Sequence, residues 1–306
     1  MNKNKIYSSP KVRKFARELG ANISEIKGTE RLERISEEDV KKYVNTKINE
    51  SKSIVSKEKE TIKNEFKHSD FGEVETKEIP RVKKIAAPHL VNSWQTIPHV
   101  THHDEADVTE LEEFRSSLID INTREKKKIS PLIFIIKSLV ASLKKYPNFN
   151  SSIDEIEKGK MTLKKYFHIG IAVDTEHGLM VPKIRNVDKK KLNQLSEELK
   201  DISNKCRKLK IDKKEFFGGS MTISSLGGIG GSFFTPIINY PEVAILGVGR
   251  AYNKQVLINN EFQKRIMLPL SLSYDHRIID GAEAARFCNE LKENLGKNFV
   301  FKLGTA

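Results

Sequence analysis

Two cysteines in 306 residues exclude a disulfide-stapled scaffold. Cys206 and Cys288 fall on the apolar faces of two predicted helices and form no C-x-x-C pair, so they read as reduced core residues. No apolar run approaches membrane-spanning length, and Met1-Asn-Lys-Asn-Lys-Ile lacks the hydrophobic segment of a signal peptide. A cytoplasmic protein with no membrane partner is the expectation. Acidic residues fall short of basic ones, 41 against 54, leaving a formal net charge of +13. That surplus suits an acidic partner or a phosphorylated cofactor, and equally a lysine-rich solvated surface. A dinucleotide loop is missing as well: in Gly227-Gly-Ile-Gly-Gly231 the place of the last glycine is taken by Phe233, and the prolines that follow allow no long helix. His99, His102, His103 and Asp104 lie along one predicted strand, Ile97 to Val108, whose spacing gathers no ligand set on one face, so no metal is expected.

Four regions succeed one another: a tail over 1–8, a small helical segment over 9–44, a charged linker over 45–79 and a large domain over 80–306. Ser9-Pro10 starts a helix with Val12, Phe15, Ala16 and Leu19 on one face and Gly20 at its end. Ser36 starts a second, with Asp39 as a capping-box partner and Val40, Tyr43 and Val44 as a narrow apolar stripe. Arg13, Lys14 and Arg17 lie off the first stripe and Arg34 precedes the second helix, a basic cluster able to steer an acidic partner. No base-reading pattern accompanies the charge, so nucleic acid is not expected. The linker is rich in Lys, Glu, Ser and Asn, and only Lys57 to Phe66 has transient helical character.

In the large domain the spacing predicts helices over Thr109 to Ile121, from Ser130-Pro131 to Leu143, and over Leu192 to Leu209. Tyr166 to Val173 alternates as a strand whose small residues, Gly170 and Ala172, leave room for a ligand or another backbone, and it turns through Asp174 to Gly178 into Leu179 to Ile184. Ile266, Leu268, Leu270, Leu272 and Tyr274 alternate with Met267, Pro269, Ser271 and Ser273, and beyond Gly281 apolar residues recur at three- and four-residue spacing. His276 therefore stands on a strand-to-helix connection, with Asp280 placed as the helix cap.

These residues carry a resemblance. His276-x-x-x-Asp280-Gly281, together with Ile97-Pro-His-Val-Thr, Ile169-Gly-Ile-Ala-Val-Asp174, Thr222-Ile-Ser-Ser-Leu-Gly227, Phe234-Thr-Pro-Ile-Ile-Asn239 and Val243-Ala-Ile-Leu-Gly247, resembles the dihydrolipoamide acyltransferases of 2-oxo acid dehydrogenase complexes, most of all their acetyl-transferring branch. The His276 motif is also seen in chloramphenicol acetyltransferase. The resemblance implies an α/β fold: a mixed-sheet, chloramphenicol-acetyltransferase-like catalytic domain preceded by a two-helix peripheral subunit-binding domain. It implies trimers joined into a larger core, with His276 and Ser224 brought together from different chains. His276 would be the general base that takes a thiol proton, Ser224 the donor to the thioester oxyanion, and Asp280 an orienting group.

Coenzyme A would be the substrate, and on charge alone Lys183 and Arg185 are candidates for its phosphates. The small segment would dock the pyruvate dehydrogenase (decarboxylase) or dihydrolipoamide dehydrogenase subunits, with Arg13 and Arg34 matching the arginines that pair with partner carboxylates. Three departures stand out: Glu30 and Glu33 occupy places usually held by glycine, Asn298 to Ala306 lacks the usual apolar end, and no lipoyl hairpin precedes residue 9, so the lipoyl group is expected on a lipoylated domain outside these 306 residues. The rival readings are a non-catalytic scaffold core, an acyltransferase for a small soluble acceptor, and a nucleic-acid binder.

Overall fold

Residues 7–47, 67–119, 124–126, 129–297 and 299 are described by a computed structural model, and the chain divides into two units, Met1–Lys77 and Glu78–Ala306. In the first, helix α1 (Pro10–Glu18) begins where the Ser9 hydroxyl accepts the Val12 N–H at 3.2 Å and proline fills the first turn. It ends at Gly20, φ 66°, where the Ala21 N–H reaches back to the Ala16 carbonyl at 2.8 Å. Leu19, expected on the buried face, caps the helix and is exposed. Helix α2 (residues 37–47) has the reciprocal cap read from Ser36 and Asp39: the Ser36 N–H donates to Asp39 Oδ2 at 2.9 Å and the Asp39 N–H donates to Ser36 Oγ at 3.3 Å.

Asp39 also receives the N–H and hydroxyl of Thr29. Burial alone would push its carboxyl up, but the donors from Ser36 and Thr29 hold it down at about 2. A core of Val12, Ala16, Ile26, Ile35 and Val40 closes the unit. Gly28 is needed there, since a Cβ would run into the backbone of Glu33 and Arg34. Leu32 and Glu33 sit in the left-handed region at φ 64° and 55°, so one of the two acids that replace glycine occupies a conformation glycine favours. Residues 48–66, with the expected Lys57 to Phe66 helix, lie outside the described residues; 67–79 are exposed and carry only a turn of 3₁₀ helix at His68–Asp70.

The second unit runs α3 (Arg81–Thr96), β1 (His99–Asp107), α4 (Thr109–Ser117), α5 (Pro131–Lys145), β2 (Ser151–Glu155), β3 (Lys160–Leu163), β4 (Ile169–Ile171), β5 (Lys183–Ile184), α6 (Leu192–Arg207), β6 (Met221–Ser225), β7 (Ala244–Val248), β8 (Tyr252–Ile258), β9 (Glu261–Asp275) and α7 (Gly281–Leu295). Its mixed sheet has the order β1-β9-β7-β6-β4-β5, with β8 also paired to β9; β4, β6 and β7 are parallel to one another and the other pairs antiparallel. β2 and β3 form a separate hairpin.

β9 organises the sheet, pairing with β1 on one edge and with β7 and β8 on the other. Leu268, Leu270, Leu272 and Tyr274 join the core shared with α5 and α7, and the alternate residues Ser271, Ser273 and Asp275 are buried on the opposite, polar face. Helix α5 starts on the Ser130 cap, and ten of its residues are buried.

Helix α3 has no counterpart in the sequence reading. Pro88 interrupts its pattern, and Ile85, Val91 and Trp94 point to solvent while only Ser93 is buried. Helix α4 stops at Ser117 rather than Ile121, because Leu118 turns extended, though Phe114 and Leu118 still pack on the core. Helix α6 ends at Arg207, and Leu209 is exposed at φ 54°. Cys206 and Cys288 are unpaired and buried, which pushes their thiols up to about 11 and about 12. Phe299 packs against Phe114, and the rest of the C-terminal stretch lies outside the described residues.

Candidate active site

His276 follows the last residue of β9 and is exposed. Its own N–H donates to the Pro98 carbonyl at 3.1 Å, and its ring lies 6.0 Å from that of Tyr274. The turn is built by its neighbours. Asp275 is buried, and its carboxylate receives Arg277 three ways: the backbone N–H at 3.0 Å, Nε at 2.9 Å and Nη2 at 2.6 Å. Asp275 N–H in turn donates to Val243 O at 2.8 Å. Asp280 then caps α7, its Oδ1 accepting the Glu283 N–H at 2.7 Å. The histidine is thus held through its backbone on both sides while its ring is left in solvent, as a proton acceptor for an incoming group requires.

Ser224 lies near the end of β6, half-buried, with no partner for its hydroxyl among the described residues. Its register partner is Gly247, whose partner across the next pair is Ser271. A Cβ on Gly247 would come within 2.8 Å of the Phe234 ring, so that ring lies on the polar face beside Ser224. Ser271 stands five residues before His276, two strands over from Ser224. At about 3.3 Å per residue and about 4.8 Å between strands, Ser224 and His276 of one chain are roughly 15–20 Å apart. They occupy opposite ends of the same sheet and cannot meet at one carbonyl.

Lys183 does not face a phosphate. Its side chain is 1% exposed, its ammonium is paired with Glu242, and it donates to Thr222 Oγ1 at 3.1 Å. Charge alone misread it, because charge says nothing of burial. Gly170, expected to admit a ligand or a backbone, admits this ammonium instead: a Cβ there would be 2.6 Å from Lys183 Nζ. Arg185 is at the surface, bound to Glu215 at 3.1 Å and to the Lys214 carbonyl at 2.7 Å. In the first unit Arg13, Lys14, Arg17 and Arg34 are all exposed; Arg13 Nε donates to Ser8 Oγ at 2.9 Å, Lys14 lies 3.8 Å from Glu18, and Arg17 Nε reaches the Arg13 carbonyl at 3.3 Å. Of the histidine-rich strand, His99 is bound to Ile97 and Ile238, His103 to Ser271, and Asp104 to Lys292. Among the described residues no group of three such side chains could hold a metal ion.

A family model described as 2-oxoacid dehydrogenases acyltransferase (catalytic domain) matches residues 71–300, and one described as e3 binding domain matches residues 6–41. The chain belongs to the 2-oxoacid dehydrogenase acyltransferase family. It is 47% identical over 291 residues to the dihydrolipoyllysine-residue acetyltransferase component of the pyruvate dehydrogenase complex of Cupriavidus necator, covering 92% of this chain and 52% of that protein. It therefore spans about half the length of that curated relative. A solved structure of Azotobacter vinelandii dihydrolipoamide acetyltransferase, from an investigation of the role of a serine, a histidine and an asparagine in its catalytic mechanism, is 46% identical with a TM-score of 0.73, covering 76% of this chain and 95% of that one. The cubic core of a pyruvate dehydrogenase multienzyme complex matches with the same values.

Within this acyltransferase-family chain, several residues around the site went unread in the sequence. Asp275 and Arg277 were detectable as opposite charges flanking His276 in a turn. The bond of His99 to Ile238 and the pairing of Glu242 with Lys183 had no such signal, since the members of each lie far apart along the chain.

Proposed function

We propose that the large unit transfers an acyl group, acetyl first, between coenzyme A and dihydrolipoamide, at a site completed by two copies of the chain. The observation that carries the reading is the separation of His276 from Ser224 by five residues along β9 and two strands across the sheet, with each residue exposing a group suited to one half of the chemistry. His276 of one copy takes the proton from the attacking thiol. The thiolate adds to the thioester carbon, and the Ser224 hydroxyl of a neighbouring copy donates to the oxyanion so formed. The carbon–sulfur bond to the departing thiolate then breaks, and His276 returns its proton to that sulfur.

The relative supports the assignment by spacing: the serine, histidine and asparagine studied in the Azotobacter enzyme are separated by 52 and four residues, as are Ser224, His276 and Asp280 here. The match to the cubic core supports assembly beyond a trimer. The first unit docks dihydrolipoamide dehydrogenase or the decarboxylase through Arg13, Lys14, Arg17 and Arg34, supported by the match to an e3 binding domain.

The test is complementation. His276→Ala should lower kcat by about 10²- to 10⁴-fold and Ser224→Ala by about 10²- to 10³-fold. When the two inactive variants are unfolded, mixed in equal amounts and refolded into trimers, about a quarter of the sites regain both residues and activity returns. No recovery in well-mixed trimers would mean that the two residues do not act across copies. An unmutated assembly without transferase activity would leave only a scaffold.

A further inference from the structure

The polar face of the sheet is crossed by the segment that joins β6 to β7, and His99 fastens that segment at Ile238. His99 Nδ1 is 2.7 Å from the Ile97 carbonyl, which can only accept, so this nitrogen carries the proton. Nε2 is 3.0 Å from the Ile238 backbone N–H, which can only donate, so this nitrogen is bare. One neutral tautomer satisfies both contacts, and the ring is steadied by Trp94 at 5.3 Å. Ile238 is fully buried with Ile97 and Ile245.

Both the residues beside His99 and the segment it fastens lead to the proposed reacting groups. Pro98, between Ile97 and His99, supplies the carbonyl that holds the His276 N–H. Four residues before Ile238, the Phe234 N–H donates to Ser271 Oγ at 3.3 Å, and the Phe234 ring covers Gly247 next to Ser224. On the other side Asn239 donates to Glu242 Oε1 at 3.1 Å, and Glu242 accepts Thr222 Oγ1 at 2.6 Å, two residues before Ser224 on the same strand.

We propose that His99 is a positioning residue for the acyl transfer: as the neutral Nδ1–H tautomer it clamps Phe234–Asn239 onto the sheet and so fixes the backbone supporting His276 together with the ring packed beside Ser224. The inference rests on the transferase reading. It requires a side chain that offers one donor and one acceptor, and this separates it from mere filling of space.

The experiment compares His99→Gln, which keeps a donor and an acceptor, with His99→Leu, which keeps the bulk and neither. Acetyl transfer to dihydrolipoamide and deuterium uptake are measured on the assembled full chain. In His99→Leu, kcat falls by about 10- to 100-fold with little change in KM, and uptake rises in peptides covering 233–240 but not in β7 or β9. In His99→Gln, kcat returns to within about threefold of the parent and the segment is protected again. A leucine variant with parental kcat and uptake overturns the proposal. So does a glutamine variant as impaired as leucine, or uptake raised evenly across the sheet, which would mean general loosening. If the parent chain transfers no acetyl group the transferase reading fails on its own, and the uptake pattern still decides whether His99 clamps the segment.

Discussion

Lys183 and Glu242 are each 1% exposed, and two glycines make room for them: a Cβ on Gly219 would lie 2.8 Å from Lys183 Nζ, and one on Gly170 2.6 Å from it. Thr222 bonds to both members of the pair and Asn239 to the carboxylate. Taking two charges out of water costs several kcal/mol, and this network offsets that cost only while it is complete. Lys183→Met alone leaves a buried carboxylate without its counter-ion and should cost about 3–5 kcal/mol, read as a fall in the denaturant midpoint of the large unit. The double variant Lys183→Met/Glu242→Leu should recover most of that loss, because no unpaired charge remains. If instead the single variant lost under about 1 kcal/mol, the pair would be behaving like a solvated surface bridge.

Among the helices, a capped start or an apolar stripe made an element legible: α4 and α6 were marked by their apolar spacing, and four others by a cap as well. α1, α2, α5 and α7 begin at Ser9, Ser36, Ser130 and Asp280, and these caps accept the N–H groups of Val12, Asp39, Leu132 and Glu283. α3 has Pro80 before it with no side-chain cap, and the β8–β9 hairpin turns on Asn259-Asn260, both at positive φ, between strands whose outer residues are exposed. No cap or buried stripe marked either. The α7 cap also bears on the site, since Asp280 is four residues from His276 and fixes the helix start into which the turn carrying His276 leads. Asp280→Ala should cost about 1 kcal/mol in stability and fray the first turn of α7, with a fall in kcat larger than that stability loss explains. Asp280→Asn keeps an oxygen acceptor at the cap and should retain most of both, in line with the asparagine studied in the Azotobacter relative. Equal activity in the alanine and asparagine variants would remove Asp280 from the positioning of His276.

At the scale of the whole molecule, the His276 motif was legible because its residues are contiguous, whereas its distance from Ser224 was not: hydrophobic alternation identifies strands but says nothing of the order β9-β7-β6 that separates them. The charge of +13 was legible as a number and ambiguous in meaning, and the fold narrows it. Lys183 belongs to the interior, while Arg185, Arg265 and Lys292 are spent on Glu215, Asp107 and Asp104. Helix α1 keeps a basic surplus even after its own pairings: Lys11, Arg13, Lys14 and Arg17 are exposed on nine residues that include only one acid, Glu18, with Lys11 3.0 Å from Glu37 and Lys14 3.8 Å from Glu18. If this face docks an acidic subunit, long-range attraction should speed the encounter, and salt should slow it. Raising salt from about 0.05 to about 0.3 M should lower the association rate of dihydrolipoamide dehydrogenase with the full chain by about tenfold and change the dissociation rate far less, as read by stopped-flow mixing. Glu33 works against the same field beside Arg34, so Glu33→Gln should raise the association rate at low salt and lose that advantage at high salt. An association rate indifferent to salt in both chains would mean that docking is driven by apolar contact, and that the basic face of α1 is only solvated surface.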